Sequence, residues 1–140
     1  MIILIIVILI LLISYIYKTN ETYLDLPFEM RYSEKIGSDG IFATRNIKKD
    51  DIIEKCPSII DDVNNIKGEL NNYAFKLKNK AAIVFGYCSM FNHSDDYNID
   101  YFFKGTKLFL KARRDIEKGE ELYVNYGNEW FKNKKNIKKI

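Results

Sequence analysis

The sequence predicts a mainly β domain preceded by one N-terminal apolar helix. Three observations predict it. Short runs of Ile, Leu, Val, Tyr and Phe alternate with Gly, Asn and Asp turn signals, and little of the chain carries a helical pattern. One seven-residue pattern occurs twice, as two equivalent β-turn units would require. The first residues are apolar without interruption.

Composition sets the frame. A chain of 140 residues points to one domain, and 47% apolar with 14% aromatic residues allows a packed core. The net charge of +3 does not by itself argue for nucleic acid. The two cysteines, Cys56 and Cys88, lie far apart without Cys-x-x-Cys spacing, so neither a zinc site nor a disulfide framework is readable from them. A single histidine rules out most histidine-based metal sites, and no metal is expected.

Residues 1–18 read as a hydrophobic membrane anchor. Ile2 to Ile13 is pure Ile, Leu and Val, and Tyr15-Ile16-Tyr17 closes the run before Lys18. At 16 residues it is slightly short of the ~20 that span a bilayer. Its two tyrosines stand where interfacial aromatics belong. No basic n-region precedes it and no small-x-small cleavage site follows, which favours an uncleaved transmembrane helix over a signal peptide. The Lys and Arg residues lie C-terminal to it, so the positive-inside rule places the globular part in the cytoplasm.

Residues 19–27 read as a linker, and the globular domain covers 28–131. Gly37-Ser38-Asp39-Gly40 is a turn, and Ile41-Phe42-Ala43 a short strand. A turn at Asn46 to Asp51 leads to a strand at Ile52-Ile53. Ala43-Thr44-Arg45-Asn46-Ile47-Lys48-Lys49 is echoed, 69 residues later, by Ala112-Arg113-Arg114-Asp115-Ile116-Glu117-Lys118. Each copy is followed by two acids and an aliphatic strand. From Asp61 to Lys80 the chain is polar, with loop or short helix at its asparagines and a strand-like alternation over Tyr73, Phe75 and Leu77. A long apolar run, Ala81 to Phe91, ends abruptly on Asn92-His93-Ser94. A buried strand or helix ending there delivers short polar side chains to the edge of a core, where a ligand can be gripped. Tyr101 to Ala112 reads as a hairpin around Gly105. Leu122 to Tyr126 is a last strand, stopped by Gly127-Asn128. Residues 132–140 form a basic tail, either solvated or in contact with anionic lipid or nucleic acid.

Four blocks, in order, resemble the SET domain of protein lysine methyltransferases. Gly37-Ser38-Asp39-Gly40-Ile41-Phe42-Ala43 is similar to the family's Gly-x-Gly-hydrophobic-Phe-Ala loop. Phe91-Asn92-His93-Ser94 with Asn98 resembles its Asn-His-Ser-x-x-x-Asn signature. Lys118-Gly119-Glu120-Glu121-Leu122 and Tyr126-Gly127 resemble its Gly-Glu-Glu-Leu and Tyr-Gly ending. The repeated unit also recurs in the family. The compact viral SET proteins, which lack zinc-binding flanks, look most similar. There are three departures. Ser38 replaces the first glycine, Asp95 and Tyr97 replace a Cys and a Pro, and no cysteine follows Tyr126.

The resemblance implies a SET (β-clip type) fold with a knotted C-terminal segment, S-adenosyl-L-methionine as cofactor, and a protein substrate with a target lysine, a histone among them. It implies cofactor contacts from Ser38, Asp39, Gly40, Asn92, His93, Tyr126, Trp130 and Phe131. Trp130 and Phe131 would close the side that a post-SET zinc segment closes elsewhere. Tyr126 is the implied catalytic residue. Tyr73 and Tyr87 are implied for the lysine channel, along with Val124, whose small size would leave room for multiple methylation. The alternative is an inactive SET-fold module that only binds peptide or cofactor. The expected location is a membrane, with the nucleus or a virion as the alternative if the N-terminal run is not inserted. A homodimer would add stability to so compact a domain.

Overall fold

The computed structural model describes residues 2–21 and 25–131. The N-terminal run is helical, α1 (Ile2–Glu21), and its side chains from residue 5 to 16 are exposed. Among the described residues no helix is long and apolar enough to cross a membrane, so the transmembrane expectation gains no support. The apolar run, Ile2 to Tyr17, occupies roughly 24 Å of helix against ~30 Å of hydrocarbon. The basic tail, with its expected lipid or nucleic-acid contact, lies outside the described residues, as do residues 22–24 of the linker.

The globular part begins with a hairpin, β1 (Phe28–Ser33) and β2 (Ser38–Ala43), in the register Ser33 to Ser38. The turn therefore occupies residues 34–37, with Gly37 at φ +79°, and Ser38, Asp39 and Gly40 are strand rather than turn. Gly40 explains the shift. A Cβ there would lie 2.3 Å from Glu121 Oε1, so the glycine is needed for close packing and not for a bend.

A five-stranded antiparallel sheet follows, ordered β4-β5-β3-β8-β7. It comprises β3 (Ile52–Asp62), β4 (Ala74–Leu77), β5 (Lys80–Val84), β7 (Ile99–Lys104) and β8 (Lys107–Ala112). The strand expected at Ile52-Ile53 is thus eleven residues long. It pairs with β8 over residues 52–57 and with β5 over 58–62. Pro57, which has no N–H to give, stands where the pairing changes over. The apolar run Ala81 to Phe91 is not one element. It divides into β5 and a 3-10 turn, Tyr87–Ser89, broken at Gly86 (φ +86°). Beyond it, the two-residue strands β6 (Asn92–His93) and β9 (Tyr123–Val124) pair in parallel. The last strand is therefore shorter than expected. The chain closes on a short helix, α2 (Asn128–Phe131).

The sheet curls. Its edge strands β4 and β7 meet through Phe75, whose ring stands edge-on to Tyr101 at 5.2 Å and to Phe103 at 6.1 Å. The concave side is filled by Ile41, Phe91, Ile99, Leu108, Leu110, Ile116, Leu122 and Val124, all essentially inaccessible to solvent.

The two echoed segments pair with each other, reciprocally. Ile47 N–H donates to the Ile116 carbonyl and Ile116 N–H to the Ile47 carbonyl, both at 2.9 Å. Asp50 N–H reaches the Ala112 carbonyl and Gly119 N–H the Ala43 carbonyl, both at 2.8 Å. Side chains follow the same exchange. Asn46 Oδ1 accepts from Lys118 N–H, and Asp115 Oδ1 from Lys49 N–H. Each bond maps onto its partner by the same offset of 69, so the repeat is a local two-fold. Asp50 (φ +71°) and Gly119 (φ +90°) occupy its equivalent left-handed positions.

Cys56 and Cys88 form a disulfide, which the sequence spacing did not reveal. Position 56 faces the core from β3 and position 88 from the 3-10 turn. Sheet geometry, not spacing along the chain, brings them together. Closing a loop of this separation, 32 residues, constrains the unfolded chain by about 3–4 kcal/mol in the chain-entropy description.

Because Ile116 is both fully buried and one half of the two-fold contact, Ile116→Ala is expected to cost about 2–5 kcal/mol of stability. Ile116→Val should cost about 0.5–1.5 kcal/mol. Urea titration followed by tryptophan fluorescence measures both. Equal costs for the two variants would remove Ile116 from the core.

Candidate active site

A cavity of about 840 Å³ opens beside β6, in the size range of small-molecule sites. Its walls come from five stretches: the β1–β2 turn, residues 72–76, the segment Cys88–His93, Tyr101 on β7, and residues 125–131. The local two-fold sets the first and last of these facing one another, because each copy leads out of, or into, a wall.

His93 and Tyr126 form the centre. β6 points His93 inward, where it is only 7% exposed. Its Nδ1 accepts the Tyr126 backbone N–H at 3.1 Å, which leaves the proton of the neutral ring on Nε2. Nε2 faces the Asp95 carboxylate at 3.3 Å. Tyr126, half-buried, donates its phenolic O–H to the Phe91 carbonyl at 2.8 Å. Burial, helped by the nearby Tyr73 phenol, pushes the Tyr126 hydroxyl up to about 12. An aromatic wall completes this side. The Phe131 ring lies 4.7 Å from His93, and Trp130 lies 4.7 Å from Tyr126. The indole N–H of Trp130 donates to the Asn72 carbonyl at 3.1 Å, which holds α2 against residues of the opposite wall.

Behind the cavity, Glu121 gathers donors. Ser33 Oγ and Tyr123 Oη donate to Oε2 at 2.7 and 2.6 Å, and Asn92 Nδ2 lies 3.4 Å from Oε1. Asn92 Nδ2 also donates to the Asp39 carbonyl at 2.9 Å, tying β6 to β2. Asn98 does the same for the C-terminal segment. It is 2% exposed, gives Nδ2 to the Glu121 carbonyl at 2.9 Å, and accepts the Tyr123 N–H on Oδ1 at 2.8 Å. One buried amide thus satisfies two main-chain groups beside β9.

Several of the expected site residues line the cavity: Ser38, Tyr73, Asn92, His93, Tyr126, Trp130 and Phe131. Four expected ones do not. Val124 is 1% exposed and packed into the core beside His93, so its size does not shape the cavity, and the multiple-methylation inference loses its basis. Tyr87 turns its ring edge-on to Phe28 at 5.5 Å, away from the cavity. Gly40 is buried under Glu121, and Asp39 contributes its carbonyl to Asn92 rather than a side chain to the wall. Sequence reasoning missed Lys35, Ile36, Asn72, Phe75, Tyr101 and Asn125 as lining residues. Phe75 and Tyr101 are legible as strand residues, but only the curl of the sheet brings their two edge strands together. Glu121 had a signal, its place in Gly-Glu-Glu-Leu, yet its role as acceptor depends on Ser33, 88 residues away.

Residues 38–127 match the SET domain family. Among solved structures, the chain is similar to a Plasmodium falciparum protein named as a candidate histone methyltransferase. The two share 29% identity with a TM-score of 0.64, over 78% of this chain and all of that one.

Two outcomes follow from the site. The unfolded Tyr126 phenol ionises near 10 and the folded one only near 12. Its contribution to stability is therefore constant below pH 10 and is lost as pH rises from 10 toward 12. Denaturant titrations across that window should show a steeper alkaline loss for the wild type than for Tyr126→Phe; identical slopes would contradict the burial. Asn98→Ala leaves two main-chain groups unpaired, each costing about 1–3 kcal/mol. Thermal unfolding should register that loss, and an unchanged Tm would show that water replaces the amide.

Proposed function

This chain belongs to the SET domain family, and we propose that it is an S-adenosylmethionine-dependent protein-lysine N-methyltransferase. The observation that carries the reading is Tyr126. Its hydroxyl is clamped on the Phe91 carbonyl within a cavity that Asn92, His93 and an aromatic wall also line.

The residues fit the cofactor. The Asn92 amide donates to Asp39, which leaves Oδ1 to accept from an ammonium group. The rings of Trp130, Phe131 and His93 offer apolar faces to a purine. Ser38, in place of a glycine, adds a hydroxyl to the same wall. When bound, S-adenosylmethionine supplies an electrophilic methyl on a sulfonium. The chain has to align a neutral lysine amine with it and exclude water. Tyr126 suits positioning rather than proton abstraction. With its pKa near 12 it remains a phenol at neutral pH, and with its proton given to Phe91 its lone pairs face the cavity as acceptors. Two acceptors, the Tyr126 oxygen and the Phe91 carbonyl, can then hold the amine N–H groups in line. Tyr73 and Tyr101, at the same mouth, would flank the aliphatic stem of a lysine.

Histone lysines are the first substrate to test. The purified chain is incubated with methyl-labelled S-adenosylmethionine and either core histones or a protein lysate. Label on lysine is expected, and Tyr126→Phe should reduce it by roughly a hundred-fold or more, as removal of a positioned hydrogen-bonding group does. Cofactor binding without label on any protein would point instead to a module that binds and does not turn over.

Membrane attachment through residues 1–18 is a further part of this proposal, drawn from the uninterrupted Ile, Leu and Val run of the sequence. It would restrict the enzyme to membrane-proximal lysines. Flotation of the full chain with anionic vesicles is expected, and its loss on deleting residues 1–18. A full chain that stays in solution makes histones the leading substrate.

A further inference from the structure

Glu54 and Cys56 alternate on β3 and so point to the same face. Cys88 meets them from the 3-10 turn Tyr87–Ser89. A carboxylate oxygen and the two sulfurs all lie within 4.8 Å of one another. Both cysteines are 1% exposed. Glu54 accepts the Tyr87 backbone N–H, yet its Oε2 is buried with no hydrogen-bond partner. Such an atom is costly to bury unless a donor or cation meets it. Above the group passes the bare backbone of Gly86. A Cβ there would stand 3.4 Å from Cys56 Sγ and 3.5 Å from Glu54 Oε1, and the φ of +86° suits glycine. The lining is thus made of two sulfurs and a carboxylate, crossed by a glycine whose left-handed backbone other residues adopt poorly.

We propose that the reduced protein binds one zinc ion through the Glu54 carboxylate and the thiolates of Cys56 and Cys88, and that the disulfide is the oxidised, metal-free form of the same site. Two thiolates and one carboxylate are a donor set for zinc, a borderline-soft cation, and three protein ligands leave a fourth position for water. Interconversion balances with a dithiol as reductant. It gives two electrons and two protons, the S–S bond breaks to two thiols, and the dithiol becomes a disulfide. Zinc then displaces both thiol protons. The cation also meets the Glu54 oxygen that the disulfide leaves unpartnered. In either state Cys56 and Cys88 are tied together, so the segment from Cys88 to Phe91 stays pinned to β3. The inference is independent of the methyltransferase reading.

The test uses the full chain, reduced with a phosphine under anaerobic conditions, stripped of metal and titrated with Co²⁺. One Co²⁺ per chain is expected, with a thiolate-to-cobalt charge-transfer band that Zn²⁺ abolishes by displacement. The disulfide form should give no band, and Cys88→Ser should lose it. Glu54→Gln keeps the shape and the Tyr87 contact but loses the charge, and should weaken binding at least ~10-fold. A second readout needs no variant: Zn²⁺ should slow alkylation of both cysteines in the reduced wild type, and a chelator should restore the rate. Absence of a saturable band, Glu54→Gln binding as tightly as wild type, or alkylation indifferent to Zn²⁺ would each overturn the proposal.

Discussion

Everything in this domain depends on one reciprocal backbone contact, the pairing of Ile47 with Ile116. Each residue gives its N–H to the other's carbonyl, and each buries its side chain in the common core. The pairing joins parts of the chain 69 residues apart, so it is expensive in loop closure, though that cost grows only slowly with length. The chain offsets it by repeating the contact. The flanking bonds of Asp50 to Ala112 and of Gly119 to Ala43, and the side-chain caps from Asn46 and Asp115, all come in symmetric pairs. Main-chain groups that would otherwise be stranded in two irregular turns are satisfied by each other.

The consequence for the site is positional. One copy of the unit leaves β2, which carries Ser38 and Gly40. The other leads into Glu121, β9 and Tyr126. Holding the copies together therefore holds the cavity's first and last walls together. Glu121 then acts at short range, with Ser33, Tyr123 and Asn92 converging on one carboxylate. Asn98 completes the anchoring by closing on the main chain of residues 121 and 123. The cavity's polar residues are held by bonds to one another and, for Asn92, by bonds to Asp39 and Glu121 behind it.

Aromatic contacts close the other side. Tyr126 and Phe131 each contact both His93 and Trp130 and stack on one another, and Trp130 is further tied to Asn72. A helix of only four residues has little stability of its own. Here tertiary contacts supply it. This is how a chain with no cysteine after Tyr126 can still wall its cavity without a metal-bound flank. Its two cysteines serve elsewhere, linking β3 to the segment that carries Phe91.

The sequence by itself determined the mainly β class, the hairpin around Gly105, and the repeated unit. These are local matters: apolar alternation, glycine at turns, and a pattern recurring at a fixed offset. It also determined that Asn92, His93 and Tyr126 belong together, because their motifs stand in family order. The tertiary structure alone decided which neighbours of those motifs reach the cavity. Val124, two residues from Tyr126, faces the core, since successive strand positions point to opposite sides only where pairing persists, and β9 is two residues long. Phe75 and Tyr101 become neighbours because the sheet curls until its edges meet. Cys56 and Cys88 meet because β3 and the turn after Gly86 face one another across the core. In each case the deciding contact joins residues far apart in the chain, and the geometry that brings them together is a property of the whole sheet and not of any stretch of sequence.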